Sequence, residues 1–129
     1  MTIEVVAGLI RDEHGRYLIT RRRHGTHLEG LWEFPGGKRE PDETLEASLR
    51  RELEEELGAS FVIGERVETV RWDYPDKTVV LSFFRCHREA GVIEPREGQQ
   101  MCWVPPSDLR RYAFPPADAA LLDRLEAAG

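Results

Sequence analysis

The chain has 129 residues, room for one domain of ordinary size and not for two. Hydrophobic residues make up 40%, enough for a core, and 33% are charged, with 18 Lys and Arg against 24 Asp and Glu for a net charge of −6. Wholesale disorder is thereby excluded, the acidic balance argues against a general nucleic-acid-binding surface, and an anionic ligand would need a metal ion or local basic groups.

The chain opens Met1-Thr2-Ile3-Glu4, with no basic run ahead of an apolar stretch, so no secretory signal is read. Residues 2–11, rich in Ile and Val, predict a strand that ends in the turn-like Asp12-Glu13-His14-Gly15. Residues 16–23 predict a second, the two forming a hairpin or lying as adjacent strands. Residues 30–37 are a short extended piece ending in a breaker cluster. A helix is predicted from about Glu43 to Leu57, with Asp42 or Thr44 as N-cap and Gly58 as its stop. Its Leu45, Leu49, Leu53 and Leu57 recur at every fourth position and make one apolar stripe.

Further strands are predicted over residues 67–74 and 77–87, joined at Pro75-Asp76, and over 101–104. The apolar run at residues 79–84 is broken by Ser82 and too short to span a bilayer. A turn of helix is predicted near residues 107–111, and a second helix after Pro115-Pro116 carrying Ala119, Leu121, Leu122 and Leu125. Cys86 and Cys102 are too far apart for a CxxC motif and too few for a disulfide framework, so both read as core thiols. The architecture expected is one α/β (α+β) domain over residues 1–129, a mixed β-sheet sandwiched between helices, in a soluble cytoplasmic protein.

Between Lys38 and Gly58 the chain carries eight acidic and four basic residues. At about 100° per residue, Glu52, Glu55 and Glu56 share roughly a third of the helix circumference, while Glu54 points nearly the opposite way. A solvated face paired with Arg50 and Arg51 is one account of the cluster. The other is a site for a hard divalent cation, because these acids crowd one flank beside a core stripe. Mg²⁺ takes oxygen ligands and is shared between carboxylates and substrate phosphates.

From Gly37, five residues lead to Glu43 and seven more to Arg51-Glu52-Leu53; after one free position come Glu55-Glu56, and after another Gly58-Ala59. This resembles the signature GX5EX7REUXEEXGU of the Nudix hydrolases, with no departure at its fixed residues. Ile19-Thr20-Arg21-Arg22, Glu33-Phe34-Pro35-Gly36-Gly37-Lys38, Tyr74-Pro75-Asp76, Glu97-Gly98-Gln99 and Phe114-Pro115-Pro116-Ala117 resemble the bacterial mutator-type 8-oxo-dGTP diphosphatases. Gly30-Leu31-Trp32-Glu33 with Glu40-Pro41-Asp42-Glu43 is also similar to relatives acting on CTP and modified pyrimidine triphosphates.

The resemblance implies the Nudix fold and Mg²⁺-dependent hydrolysis, with Mn²⁺ as a substitute, of nucleoside triphosphates such as 8-oxo-dGTP to the monophosphate and pyrophosphate, which cleans the nucleotide pool. It implies a small-molecule nucleoside triphosphate as partner, no nucleic-acid polymer, no membrane, and a monomer rather than a dimer. Glu52, Glu55 and Glu56 take the family's metal-ligand positions, and the Gly37 carbonyl is a further ligand. Glu97 matches a carboxylate that approaches the same metals; a solvated acid beside Arg96 is the alternative. Glu52, Glu55, Glu97 and Arg51 form the catalytic set, with Glu52 the base candidate. Glu43 and Arg51 orient the loop and the carboxylates, and Gly58 completes the box.

The resemblance favours Arg22 and Lys38 as phosphate contacts and leaves Arg23 and Arg39 unassigned. His27 is a pocket candidate. Its HxxH spacing with His24 lacks a third ligand, so no zinc site is expected. Phe34 and Tyr74 line the base pocket or belong to the core. Asp118 stands where the strict 8-oxo-dGTP enzymes carry asparagine; it reads the base, or it caps the C-terminal helix. CTP or 5-methyl-dCTP is the alternative substrate. A non-catalytic nucleotide sensor ranks behind, because every box glutamate is kept.

Overall fold

Alternation along the strands places two helices on opposite sides of a sheet. The computed structural model describes residues 1–128. In β1 (Thr2–Ile10), Ala7 and Leu9 face one side and Val6 and Ile10 the other. In β6 (Lys77–Ala90), Leu81 and Phe83 join the first set and Phe84 and Cys86 the second. The second set meets Leu49, Leu53 and Leu57 of α1 (Leu45–Leu57), each fully buried. The first set meets Leu121, Leu122 and Leu125 of α2 (Ala119–Ala128).

The strands between complete two sheets. β2 is Tyr17–Arg21, β3 Trp32–Glu33, β4 Gly36–Lys38, β5 Ser60–Tyr74 and β7 Met101–Val104. The larger sheet has the order β4-β1-β6-β5 and is mixed, since β1 and β6 run parallel while its other pairs are antiparallel. The expected mixed sheet between helices is thus present. An antiparallel sheet, β3-β2-β7, stands beside it.

The predicted first two strands do not form a ladder with each other; only Arg11 and Tyr17 bridge. The Asp12 carboxylate binds the turn tightly, accepting from the His14 and Arg16 amides at 2.9 Å each, and the two strands then part into different sheets. β5 starts at Ser60 rather than 67, and β6 ends at Ala90 rather than 87. Three register shifts, at Ser60/Phe61, Ile63/Arg66 and Arg66/Glu68, break the two-residue alternation that would have revealed the early part of β5.

Thr44, not Asp42, caps α1: its hydroxyl accepts from the Ala47 amide at 3.0 Å. Gly58 ends the helix in the left-handed region at φ 71°, its N–H bonded to the Glu54 carbonyl. The predicted turn near 107–111 is a 3-10 turn over Pro106–Arg111, and another, Pro116–Asp118, precedes α2. Cys86 is buried and Cys102 half-buried, both as free thiols. Among the described residues no helix is long and apolar enough to cross a membrane.

Candidate active site

With the leucine stripe of α1 turned into the core, Glu52 and Glu56 fall one helical turn apart along its edge. They meet Glu97, from the loop ahead of β7, in a cleft of about 150 Å³ that Arg22 and Arg23 also line. Glu56 is only 8% exposed, and its Oε2 has no hydrogen-bond partner. Burial above all, with the charges of Glu33, Glu52 and Glu97 adding to it, pushes the Glu56 carboxyl up to about 9. Burial also raises Glu52, against the opposing pull of Arg51.

Arg51 holds the loop before the helix to the helix itself. Its Nε and Nη2 donate to the two carboxylate oxygens of Glu43 at 2.8 and 2.9 Å. Nη1 donates to Glu52 at 3.1 Å and Nη2 to the Lys38 carbonyl at 3.3 Å. The guanidinium draws Glu43 down to about 2. An i,i+1 pair such as Arg51 and Glu52 does not ordinarily face, so this bond turns the Glu52 carboxylate back along the helix toward Gly37. A β-carbon on Gly37 would lie 2.3 Å from the Glu52 carboxyl carbon, and only glycine allows that approach.

Beside the cleft lies a pocket of about 410 Å³. Arg22, Thr26, Glu33 and Gly36 line both, so the two adjoin along these residues. Arg22 is fixed in the shared wall by an ion pair to Glu33 at 2.7 Å. His27 and Tyr74 pack edge to face at 5.1 Å. Burial first, then the charges of Lys77 and Arg22, lowers His27. Phe34 lines the pocket while its other contacts, to Tyr17, Phe83 and Phe114, make it core as well. Lys38 lies at this pocket rather than in the cleft.

Asp118 closes the pocket. It is 3% exposed, its Oδ1 has no partner, and burial followed by the Glu33 charge pushes it up to about 7. It sits in the 3-10 turn among the pocket's lining residues, and that oxygen bonds no α2 amide.

The structure does not draw all the expected residues together. Glu55 is exposed, reaches Arg51 only at 3.4 Å, and lies with Glu54 on an outer groove. His24 pairs with Glu29 at 2.5 Å, away from His27. Several pocket and cleft residues had no role assigned from the sequence, among them Thr26 and Lys77. Glu33 and Gln99 were visible within the family-like segments but carried no role, and Trp72 gave no signal beyond its place on a strand.

Among the described residues, no three His, Cys, Asp or Glu side chains are gathered around one point in the geometry of a metal centre. The chemistry of the cleft nonetheless fits a hard divalent cation. Its donors are all carboxylate oxygens, one of them is buried without a partner, and Gly37 keeps its main chain bare beside Glu52. A polyanion could not settle against three carboxylates without a cation between them.

A family model described as the NUDIX domain matches residues 6–124. The chain is 41% identical to an 8-oxo-dGTP diphosphatase of Haemophilus influenzae, over 95% of this chain and 90% of the relative. It is 36% identical to a CTP pyrophosphohydrolase of Escherichia coli, over 94% and 89%. Among solved structures, it superposes on the MutT protein of Methanosarcina mazei with a TM-score of 0.85 at 30% identity, covering 98% of this chain and 94% of that one. The E. coli ORF135 protein gives 0.83 at 36% identity, over 98% and 89%.

Proposed function

Because the chain belongs to the NUDIX domain family, we propose that it is a single-domain, cytoplasmic, Mg²⁺-dependent nucleoside triphosphate pyrophosphohydrolase that removes oxidised nucleotides such as 8-oxo-dGTP. One observation carries this reading: a carboxylate cleft and a base-sized pocket share the wall formed by Arg22, Thr26, Glu33 and Gly36. A nucleoside triphosphate has the same two-part chemistry, a flat base at one end and a polyanion at the other.

Glu52, Glu56 and Glu97, with the Gly37 carbonyl, would hold the cation. When bound, it neutralises charge crowding on the phosphates and makes water a better nucleophile. Glu52 is the base candidate for the proton of the attacking water, with Glu97 lining the same cleft. Arg51 touches no substrate in this scheme; it keeps Glu43 and Glu52 aligned. Arg22 and Arg23 meet the phosphates, and Lys38 meets the nucleoside side of the chain. Water attacks one phosphorus, and the broken P–O bond leaves a nucleoside monophosphate and pyrophosphate. The likeness to mutator-type relatives favours attack at the β-phosphorus, so ¹⁸O from labelled water should appear in pyrophosphate.

Asp118 supports a second reading of the substrate. Ionised, it only accepts hydrogen bonds, which suits the amino group of cytosine or 5-methylcytosine; protonated, it also donates, as an asparagine would. Comparing kcat/KM for 8-oxo-dGTP, dGTP, CTP, 5-methyl-dCTP and 2-hydroxy-dATP tests the choice. The first reading requires 8-oxo-dGTP to lead, and a lead for a cytosine nucleotide replaces it with the second.

A further inference from the structure

Glu52 and Glu56 are held by α1, but Glu97 comes from a loop, so something must hold that loop in place. The last carbonyls of a helix have no partner within it. In α1 the last two are taken by the loop that carries Glu97. The Leu57 carbonyl accepts from the Glu94 amide at 2.9 Å, and the Glu56 carbonyl accepts from the Arg96 amide at 2.9 Å. The Glu56 carbonyl accepts a second bond, from Nε2 of Gln99, at 3.0 Å.

The other end of the same side chain reaches Glu97. Gln99 Oε1 accepts from the Glu97 amide at 2.9 Å, and the residue is only 8% exposed. From the opposite side, Arg23 Nη1 donates to the Glu97 carbonyl at 3.1 Å. Gly98, at φ 71°, makes the sharp turn that lets Gln99 fold back. Only an amide does both jobs, because it accepts at one atom and donates at the other. A carboxylate in its place would set a negative charge against the Glu56 carbonyl, and a hydrocarbon would leave the Glu97 amide without its partner and the Glu56 carbonyl with the Arg96 bond alone.

We propose that Gln99 is a positioning residue: its side-chain amide ties the Glu97 backbone to the last turn of α1 and so fixes the Glu97 carboxylate opposite Glu52 and Glu56. This rests on Glu97 serving the cleft as set out above. Two main-chain bonds already join helix and loop, and the Gln99 side chain adds the tie that reaches Glu97 itself.

The test is a double-mutant cycle of Gln99→Met with Glu97→Gln, read by kinetics and by hydrogen exchange of the metal-free chain. Met keeps the length and bulk of Gln without its polar atoms. Gln99→Met should lower kcat by about 10–100-fold, the range for residues that orient ligands, with KM nearly unchanged. In the Glu97→Gln background it should lower kcat no further. Without metal, the Glu97 amide should lose protection while the Glu94 and Arg96 amides, which bond the helix directly, keep theirs. Equal losses in both backgrounds, or loss of protection across the whole loop, would make Gln99 merely structural and overturn the proposal. Full activity in Glu97→Gln alone would refute the role of Glu97, and the proposal with it. Should Gln99→Met not fold, Gln99→Leu, which also lacks both polar atoms, is measured in the same cycle against the same outcomes.

Discussion

Gly37 and Glu52 stand so close that a β-carbon on the first would lie 2.3 Å from the carboxyl carbon of the second. The neighbour, Gly36, is just as constrained, but by backbone: its β-carbon would lie 1.9 Å from the Val6 carbonyl oxygen. One glycine therefore guards the position of a functional side chain, and the other guards the β1–β4 pairing.

Gly37→Ala and Gly36→Ala should accordingly fail in different ways. In Gly37→Ala the Glu52 carboxylate swings aside at little cost to the fold, so kcat should fall about 10–100-fold while stability changes by less than about 1 kcal/mol. In Gly36→Ala the strand must move, at about 1–3 kcal/mol or more. Thermal melts and kinetics of the two variants check this, and equal stability losses would sink the distinction.

Glu52→Gln and Glu56→Gln should each lower kcat by about 10²–10⁴-fold with the fold intact. Glu56→Gln should also raise the metal-free melting temperature at neutral pH, because the folded carboxyl, raised to about 9, must take up a proton that the unfolded chain has released, and an amide need not. A gain of about 1 kcal/mol corresponds to roughly 3–5 °C for a domain of this size. Glu54→Gln is the control, since that side chain lies on the outer groove. Comparable kinetic losses at Glu54 would disprove the placement of the cleft.

Asp118→Asn should shift the substrate ranking toward 8-oxo-dGTP by about 1–3 kcal/mol, the scale of one well-placed polar contact. An unchanged ranking in the same kcat/KM panel would return base selection to Phe34, Tyr74 and Trp72.

The metal-free protein should also carry the mark of Asp118 in its pH dependence. The folded carboxyl is raised to about 7 from an ordinary 3.8, so between those values the folded state keeps a proton that the unfolded state releases. Stability from this group therefore falls as pH rises through that window, by at most about 1.4 kcal/mol per unit, and levels off above 7. Denaturant melts of Asp118→Asn across pH 4–8 should show a shallower decline than the parent chain, and parallel curves would contradict the burial of that charge.

Much of the cleft could be read before any fold was known, because the box spacing fixes which residues share one helix edge. Glu52 and Glu56 followed from about 100° per residue and from the leucine stripe beside them. Glu55 has a similar angle around the helix but is exposed and lines the outer groove with Glu54, a difference helical phasing alone does not resolve. Most strands were legible as segments, but their division between two sheets was not, and the start of β5 was hidden by its register shifts. Gln99 was out of reach for another reason: its two partners, Glu97 and the Glu56 carbonyl, meet only when a loop folds back onto a helix end.

The most direct measurement is ³¹P NMR of 8-oxo-dGTP incubated with the protein, in Mg²⁺ and again in excess chelator. Cation-dependent hydrolysis in the Glu52, Glu56 and Glu97 cleft predicts the monophosphate and pyrophosphate as the only products, and no turnover in chelator. Orthophosphate as the primary product, or undiminished turnover in chelator, would contradict it.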